Sequence, residues 1–261
     1  MNSESVNIYS VLIAYVYVII AVVISKLTGI KKEKLIFISG FRMTLQLLIT
    51  AYVLQMVFDN PKAIYTVMIL LVMEIFAIYN IRKRSGIKSL HFTKTIAISM
   101  VAGSLLCLIY FILMVIKLKP WYNPQYIITL GGMLIGNTMT ALTLAINSLT
   151  KEIKSQRVKI EGALMLGASP HDAVDENFKN ALNASILPTM NSMLGMGIVF
   201  LPGMMAGQII SGESPLTAIF YQISIMLGIF GSVVISTFLF LEMARKLLFN
   251  KDAQLRVEEL D

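Results

Sequence analysis

Two charged residues lie inside apolar stretches, Arg42 in GFRMTLQLLITAYVLQMVF and Glu74 in AIYTVMILLVMEIFAIYN. Charge inside a bilayer-spanning segment is costly, so each needs a partner or a function. Arg42 follows Lys34 by eight residues and Glu74 precedes Arg82 by eight. On antiparallel helices rising about 1.5 Å per residue, both would sit about 12 Å from the same membrane surface. Two chemistries are open: an ion pair between the helices, or a Glu74 carboxylate offered to a passing cation while Arg42 holds it or is displaced. Gln46, one turn from Arg42, shares its face.

Neutral polar groups mark two further stretches. GGMLIGNTMTALTLAINS (131–148) sets Gly131, Gly132 and Gly136 beside Asn137 and Thr140, a composition that serves either close helix packing or a polar lining. LPTMNSMLGMGIVFLPGMMAGQI (187–209) reads as a helix started by Pro188 and broken at Pro202 and Gly203. Irregular backbone at membrane depth is tolerated only against protein or a cavity, so this break points to a pathway. Met190, Met193, Met196, Met204 and Met205 crowd the same stretch; thioethers suit soft ions, and they also re-pack easily as helices move. Candidate path residues are Arg42, Gln46, Glu74, Asn137, Asn191, Met204, Met205 and Gln208. No metal ligand set is assigned, because His91 and His171 are far apart in sequence and Cys107 is the sole cysteine. No G-x-x-x-x-G-K-[ST] phosphate loop occurs, and no nucleophile stands beside a base, so no catalytic residue is assigned and no cofactor is expected in this chain.

The elements that must position these residues follow from composition. Of 261 residues 56% are apolar and 14% charged, and the mean hydropathy is +0.75. That balance belongs to an integral membrane protein of all-α class, since the apolar runs are continuous rather than alternating. Seven runs reach span length: about 6–25, 35–57, 62–80, 95–116, 125–147, 187–210 and 216–241. Of the 22 Lys and Arg, 18 fall in connections on one side, three on the other, and Arg42 within a span. The positive-inside rule then predicts an external N-terminus and a cytoplasmic C-terminus in a multi-pass protein of the cell membrane. Its net charge of +7 is spread between spans rather than gathered on one face, which argues against a nucleic-acid partner. The basic link at 81–94 serves topology or anionic headgroups. Trp121, Tyr122 and Tyr126 suit the opposite headgroup level, with Pro120 and Pro124 keeping that connection non-helical. The N-terminal run lacks a basic start and a small-residue cleavage site, so it reads as a retained first helix.

The region 148–186 is the one long polar insert of the second half. Glu152 to Leu166 extends span five, Gly167 breaks it, and Ser169, Pro170 and Asp172 read as cap, first and third positions of a new helix. Val174, Phe178 and Leu182 then form an apolar stripe opposite Asp175, Glu176 and Lys179. The expected shape is a cytoplasmic helix-turn-helix within a single transmembrane domain spanning residues 1–261.

Glu161, Ala163 and Gly167 reproduce an E-x-A-x-x-x-G pattern that resembles the loop by which permeases of ATP-binding-cassette (ABC) transporters engage their ATPase. The resemblance assigns docking to Glu161, Gly162, Ala163, Gly167, Ala168, Ser169 and Pro170. Gly40-Phe-Arg42 with Gln46, Gly136-Asn137, Leu166 to Pro170, Leu187-Pro-Thr189, and above all Leu201-Pro-Gly-Met-Met-Ala-Gly207 resemble the FetB-type iron-export ABC permease family, which includes plant permeases tied to aluminium tolerance. The resemblance implies a permease paired with a separate ATPase that binds ATP and Mg, a permease homodimer, and export of iron or another metal. The alternatives are an ABC permease for a non-metal substrate and a non-transporting membrane scaffold or sensor.

Overall fold

A computed structural model describes residues 8–250 and 252–256; residues 6 and 7, where the first expected span begins, lie outside them. The described residues are helical apart from turns and two isolated bridges, as expected of an all-α membrane protein. They divide into two compact units, Met1–Asn60 and Pro61–Asp261.

The first unit holds α1 (Ile8–Ala14), α2 (Val16–Leu27) and α3 (Glu33–Asp59). Tyr15, between α1 and α2, donates its hydroxyl to the Gly40 carbonyl at 3.2 Å and meets the Thr44 hydroxyl. A Cβ at Gly40 would sit in ordinary contact with Val18 at 3.5 Å. The reversal between α2 and α3 closes on the buried Ser25, which accepts the Lys32 N–H at 3.2 Å.

The second unit contains α4 (Ala63–Ser85), α5 (Leu90–Tyr110) with a π-helical continuation at Phe111–Ile116, α6 (Pro124–Ser155), α7 (Arg157–Met165), α8 (Pro170–Gly195), α9 (Gly203–Ile210) and α10 (Pro215–Leu247). α6, α8 and α10 start with the same device: Asn123, Ser169 and Ser214 accept an N–H of the first turn, and a proline follows as the first helical residue. The cap satisfies a donor that the helix cannot, and proline costs nothing where no intrahelical bond is due. Pro124 therefore opens α6 rather than belonging to the connection before it.

α6 is central, packing on α4, α5, α8 and α10. Missing side chains set two crossings: a Cβ on Gly103 would fall 1.9 Å from Ser236 Oγ, and one on Gly131 would fall 2.5 Å from a Leu70 methyl. Between these spans, association rests on close packing and interhelical hydrogen bonds, because lipid removes the hydrophobic drive. Thr138 and Ser232 supply one such bond at 2.7 Å, fully buried. Toward the α7 end the core continues through Ile153, Ile160, Val174 and Phe178, and Phe92 meets Phe240 edge-on at 6.4 Å.

Among the described residues six helices are long and apolar enough to cross a membrane: Tyr9–Leu27, Glu33–Asp59, Ala63–Ser85, Leu90–Ile116, Pro124–Ser155 and Pro215–Leu247. The seventh expected run, 187–210, is not one helix. Pro188 does not start it but lies inside α8, which ends at Gly195; non-helical chain follows through Gly197 (φ +85°) to Pro202, and the eight residues of α9 complete the run. Pro202 caps α9, so the interruption begins at Met196, six residues earlier than the proline suggested.

Candidate functional site

The turn at 166–170 is built by glycine chemistry. Gly167 adopts φ +92° after α7, its N–H bonds the Leu164 carbonyl at 3.0 Å, and the Ala168 N–H bonds the Ala163 carbonyl at 3.0 Å. This reciprocal pair is the Schellman closure, which needs a left-handed residue just past the helix end. Ser169 Oγ then accepts the Asp172 N–H at 3.1 Å and donates to its carboxylate at 2.6 Å. Glu161 pairs with Arg157 one turn earlier, Nε to Oε1 at 2.7 Å. Of the E-x-A-x-x-x-G pattern, Ala163 through its capped carbonyl and Gly167 through the left-handed closure hold the turn together, whereas Glu161 pairs within α7.

What the turn exposes is apolar. Val158, Met165 and Leu166 are 85%, 87% and 92% exposed although the surrounding segment is polar. Isolated exposed apolar residues are ordinary, but Met165 and Leu166 stand side by side at the turn, with Val158 two helical turns earlier on α7.

The hairpin is tied firmly to the spans. Val174 and Phe178 are buried, as their spacing predicted. Arg245 of α10 lies over the Phe178 ring at 4.7 Å and reaches Asp175 at 4.0 Å, so Asp175 faces α10 rather than open solvent. Lys179 also bonds Asp175 at 2.7 Å, and this hydrogen bond holds the Asp175 carboxyl below its ordinary range while pushing the Lys179 ammonium above its own. Glu152 of α6 accepts from Asn177 at 3.4 Å, Asn180 at 3.1 Å and Ser148 at 3.3 Å. Sequence reading missed Glu152 and Arg245 as links, because their partners are distant in sequence.

The second constellation lies along α6. Gln125, Thr129, Asn137, Thr140, Asn147 and Lys151 are exposed, with Met133, Gly136 and Leu144 half-exposed between them. At 100° per residue these positions fall within an arc of about 120°. The opposite face, including Ile128, Leu134, Ile135, Leu142, Ile146 and Leu149, is buried. α6 is therefore amphipathic with its polar side outward, along a helix of spanning length. Of this row only Asn137 was singled out as a path residue, although the recurrence of polar residues every three or four positions was legible.

Two cavities open along the row. One, about 80 Å³, is lined by Asn137, Thr140, Ser185, Pro188, Thr189 and Ser192. The other, about 160 Å³, is lined by Gln125, Tyr126, Thr129, Met204, Gln208 and Tyr221. In the second, Gln208 Oε1 and the Tyr221 hydroxyl are buried without a hydrogen-bond partner among the described residues. Thr129 gives its hydrogen to the Gln125 carbonyl at 2.6 Å, so its oxygen is left to accept. Both cavities are lined by neutral donors and acceptors, which can exchange hydrogen bonds with a polar solute or its hydration shell.

The remaining candidates separate. Asn191 is exposed on α8 beside the smaller cavity's Ser192, whereas Met205 is buried. Glu74 is 4% exposed at the middle of α4, where the Ser104 hydroxyl donates to Oε1, while Oε2 has no hydrogen-bond partner among the described residues. Arg42 and Gln46 lie one turn apart on α3, in the other unit. Among the described residues no three His, Cys, Asp or Glu side chains gather as a metal-holding group.

The Uncharacterised protein family (UPF0014) matches residues 8–249. The chain is 31% identical to the probable iron export permease protein FetB of Escherichia coli K12, over the whole of this chain and 99% of that one. It is 33% identical to the protein ALUMINUM SENSITIVE 3 of Arabidopsis thaliana, over 86% of this chain and 81% of that one. A UPF0014 membrane protein of Synechocystis shares 36% identity over 84% of this chain and 85% of its own length. No solved structure matches. A match across nearly all the described residues, together with six apolar spans, makes the chain a multi-pass membrane protein belonging to family UPF0014.

Proposed function

We propose that the chain is the permease subunit of an ABC transporter, energised by a separate ATPase that docks on the turn from Glu161 to Pro170. The observation that carries this reading is the continuity of α8. One helix runs from the capped turn at Pro170 to Gly195, past the smaller cavity's Ser185, Thr189 and Ser192. At about 1.5 Å per residue it is a lever of about 39 Å. A push on the turn is transmitted through Phe178, Arg245 and Glu152 to α8, α10 and α6 together. It reaches the interruption at 196–202, where the helix ends and the chain turns through the Gly197–Phe200 and Val199–Gly195 hydrogen bonds.

The translocation path in this reading follows the polar row of α6, with Asn137, Asn191, Met204 and Gln208 beside it. Met205 acts there as packing. The similarity to a probable iron export permease supports a metal ion as substrate, carried outward. In the lining of both cavities, neutral oxygens would replace part of a hydration shell without holding the ion tightly, the balance that passage requires. The same neutral lining favours a second reading, an ABC permease for an uncharged polar solute. ATP and Mg bind to the ATPase subunit in either case.

The test is reconstitution of the chain with its ATPase in proteoliposomes. Divalent iron should stimulate ATP hydrolysis and accumulate vectorially, and Leu166→Asp should abolish both while membrane insertion stays normal. Stimulation by an uncharged solute and by no metal would select the second reading; full transport by the Leu166→Asp variant would refute docking at this turn.

A further inference from the structure

A cavity of about 470 Å³ between α5 and α10 plays no part in the path proposed above. Cys107 of α5 and Phe111 of its π-helical continuation face Gly228 and Gly231 of α10 across it. A Cβ built on Gly228 would lie 3.3 Å from the Phe111 ring, and one on Gly231 would lie 3.7 Å from Cys107 Sγ. The helices therefore meet at the glycines, and the missing side chains keep a groove open between them. Leu106, Tyr110 and Leu227, which also line it, are each more than half exposed. No charged side chain lines it, and Ser224 gives its hydrogen to the Phe220 carbonyl at 2.9 Å. A hydrated ion would find few partners in such a lining, whereas a hydrocarbon chain would fit it.

Both helices are of spanning length, so the groove lies at membrane depth, where an unfilled groove forfeits dispersion contacts along its lining. From Ser224 to Ile235 it follows α10 over about 16 Å at 1.5 Å per residue. That is close to the ~15 Å that one leaflet contributes to a hydrocarbon core of about 30 Å. Lys117 and Lys119 follow the lining residue Val115 within one turn of chain; both are exposed, and among the described residues neither has an ion-pair partner. Trp121 stands exposed just beyond them, a ring that favours the headgroup level. An apolar slot one leaflet long, with two unpaired ammonium groups past its end, matches an amphiphile with a hydrocarbon tail and a negative head.

We propose that this groove binds an anionic phospholipid, with one acyl chain lying along Gly228 and Gly231 and the phosphate meeting Lys117 and Lys119. The chain completes the packing that the two glycines forgo, and the lysines select the headgroup. Lipid binding here requires no transport, so it is tested apart from the permease reading. Trp121, the sole tryptophan, is replaced by phenylalanine in the full chain. Single reporters are then introduced as Tyr110→Trp in the groove and Ile109→Trp, exposed beside it in sequence but outside the lining. Each protein is reconstituted in phosphatidylcholine vesicles with increasing fractions of phosphatidylglycerol brominated on its acyl chains, and tryptophan fluorescence is followed. The Tyr110→Trp reporter should be quenched at low phosphatidylglycerol fractions, well ahead of Ile109→Trp, which should follow the bulk fraction. At about fivefold per lysine near an anionic lipid headgroup, the preference over phosphatidylcholine should be about 25-fold. Lys117→Gln with Lys119→Gln, both at exposed positions, should bring it close to one. Equal quenching at the two reporters, or no preference for phosphatidylglycerol with the lysines in place, overturns the proposal. So does a preference that survives loss of both lysines. A Tyr110→Trp reporter that no brominated lipid reaches also overturns it, since the groove is then covered by protein, residues 8–60 of this chain included.

Discussion

The α7–α8 turn and the α6 row are inverted surfaces. The turn sets Met165 and Leu166 outward in a polar segment, and α6 sets Asn137, Thr140 and Asn147 outward in an apolar one. In water, an exposed apolar side chain forgoes roughly 1.5–3 kcal/mol of burial. In lipid, an exposed amide lacks partners that water would supply. Each region therefore leaves unfinished what a partner would complete, and the partners differ in kind: a soluble protein face for the turn, a polar protein wall or water for the row.

The comparison is broken most severely at the joint between the two regions. Phe178→Ala removes a buried ring and the seat of the Arg245 guanidinium, and should cost about 3–5 kcal/mol. Thermal unfolding in detergent would read this, and ATPase activity should lose its coupling to transport because the lever is loose. Leu166→Asp with Met165→Asp should abolish ATPase co-purification yet change stability by less than about 0.5 kcal/mol, as expected for exposed sites. A large drop in melting temperature would mean the two side chains are buried in the resting protein. Asn137→Leu should sharpen the contrast from the other side: flux falls while stability holds or rises slightly, because a lipid-facing or partner-facing amide has been made apolar. Unchanged flux would remove Asn137 from the path.

The smallest effect concerns Asp175 and Lys179. Asp175 titrates below its unfolded range, so its contribution is present above the unfolded value and is lost as pH falls through the folded one. Lys179 titrates above its unfolded range, so its contribution is present below the unfolded value and is lost as pH rises through the folded one. Between these limits the pair is fully charged, and hairpin stability should be flat from about pH 5 to 9, as surface pairs generally behave. Asp175→Asn should leave melting at neutral pH nearly unchanged; a steep dependence near neutrality would point to another titrating group in the hairpin.

Much of this was legible from local chemistry. The Ser169-Pro170-x-Asp172 start, the Gly167 closure and the Val174 and Phe178 stripe rest on neighbours within one or two turns, and all three stand as read. Ser104 as partner of Glu74, Arg245 over Phe178, and Glu152 between α6 and α8 were not legible, because each joins residues distant in sequence. Pro188 misled for a different reason. A proline near the start of an apolar run suggests a helix start, but α8 began eighteen residues earlier and carried the proline inside it.

By itself the sequence determined the membrane class, six of the seven expected helical spans and the shape of the turn at 166–170, since hydropathy, capping and left-handed glycine act over short stretches of chain. Only the tertiary structure decided which face of α6 is left open, that α8 joins the turn to the interruption, and that the seventh run is two pieces rather than one span. The physical reason is burial. A polar residue in an apolar run reads the same whether it faces a neighbouring helix or open space, and only packing on α4, α5, α8 and α10 turned the apolar side of α6 inward.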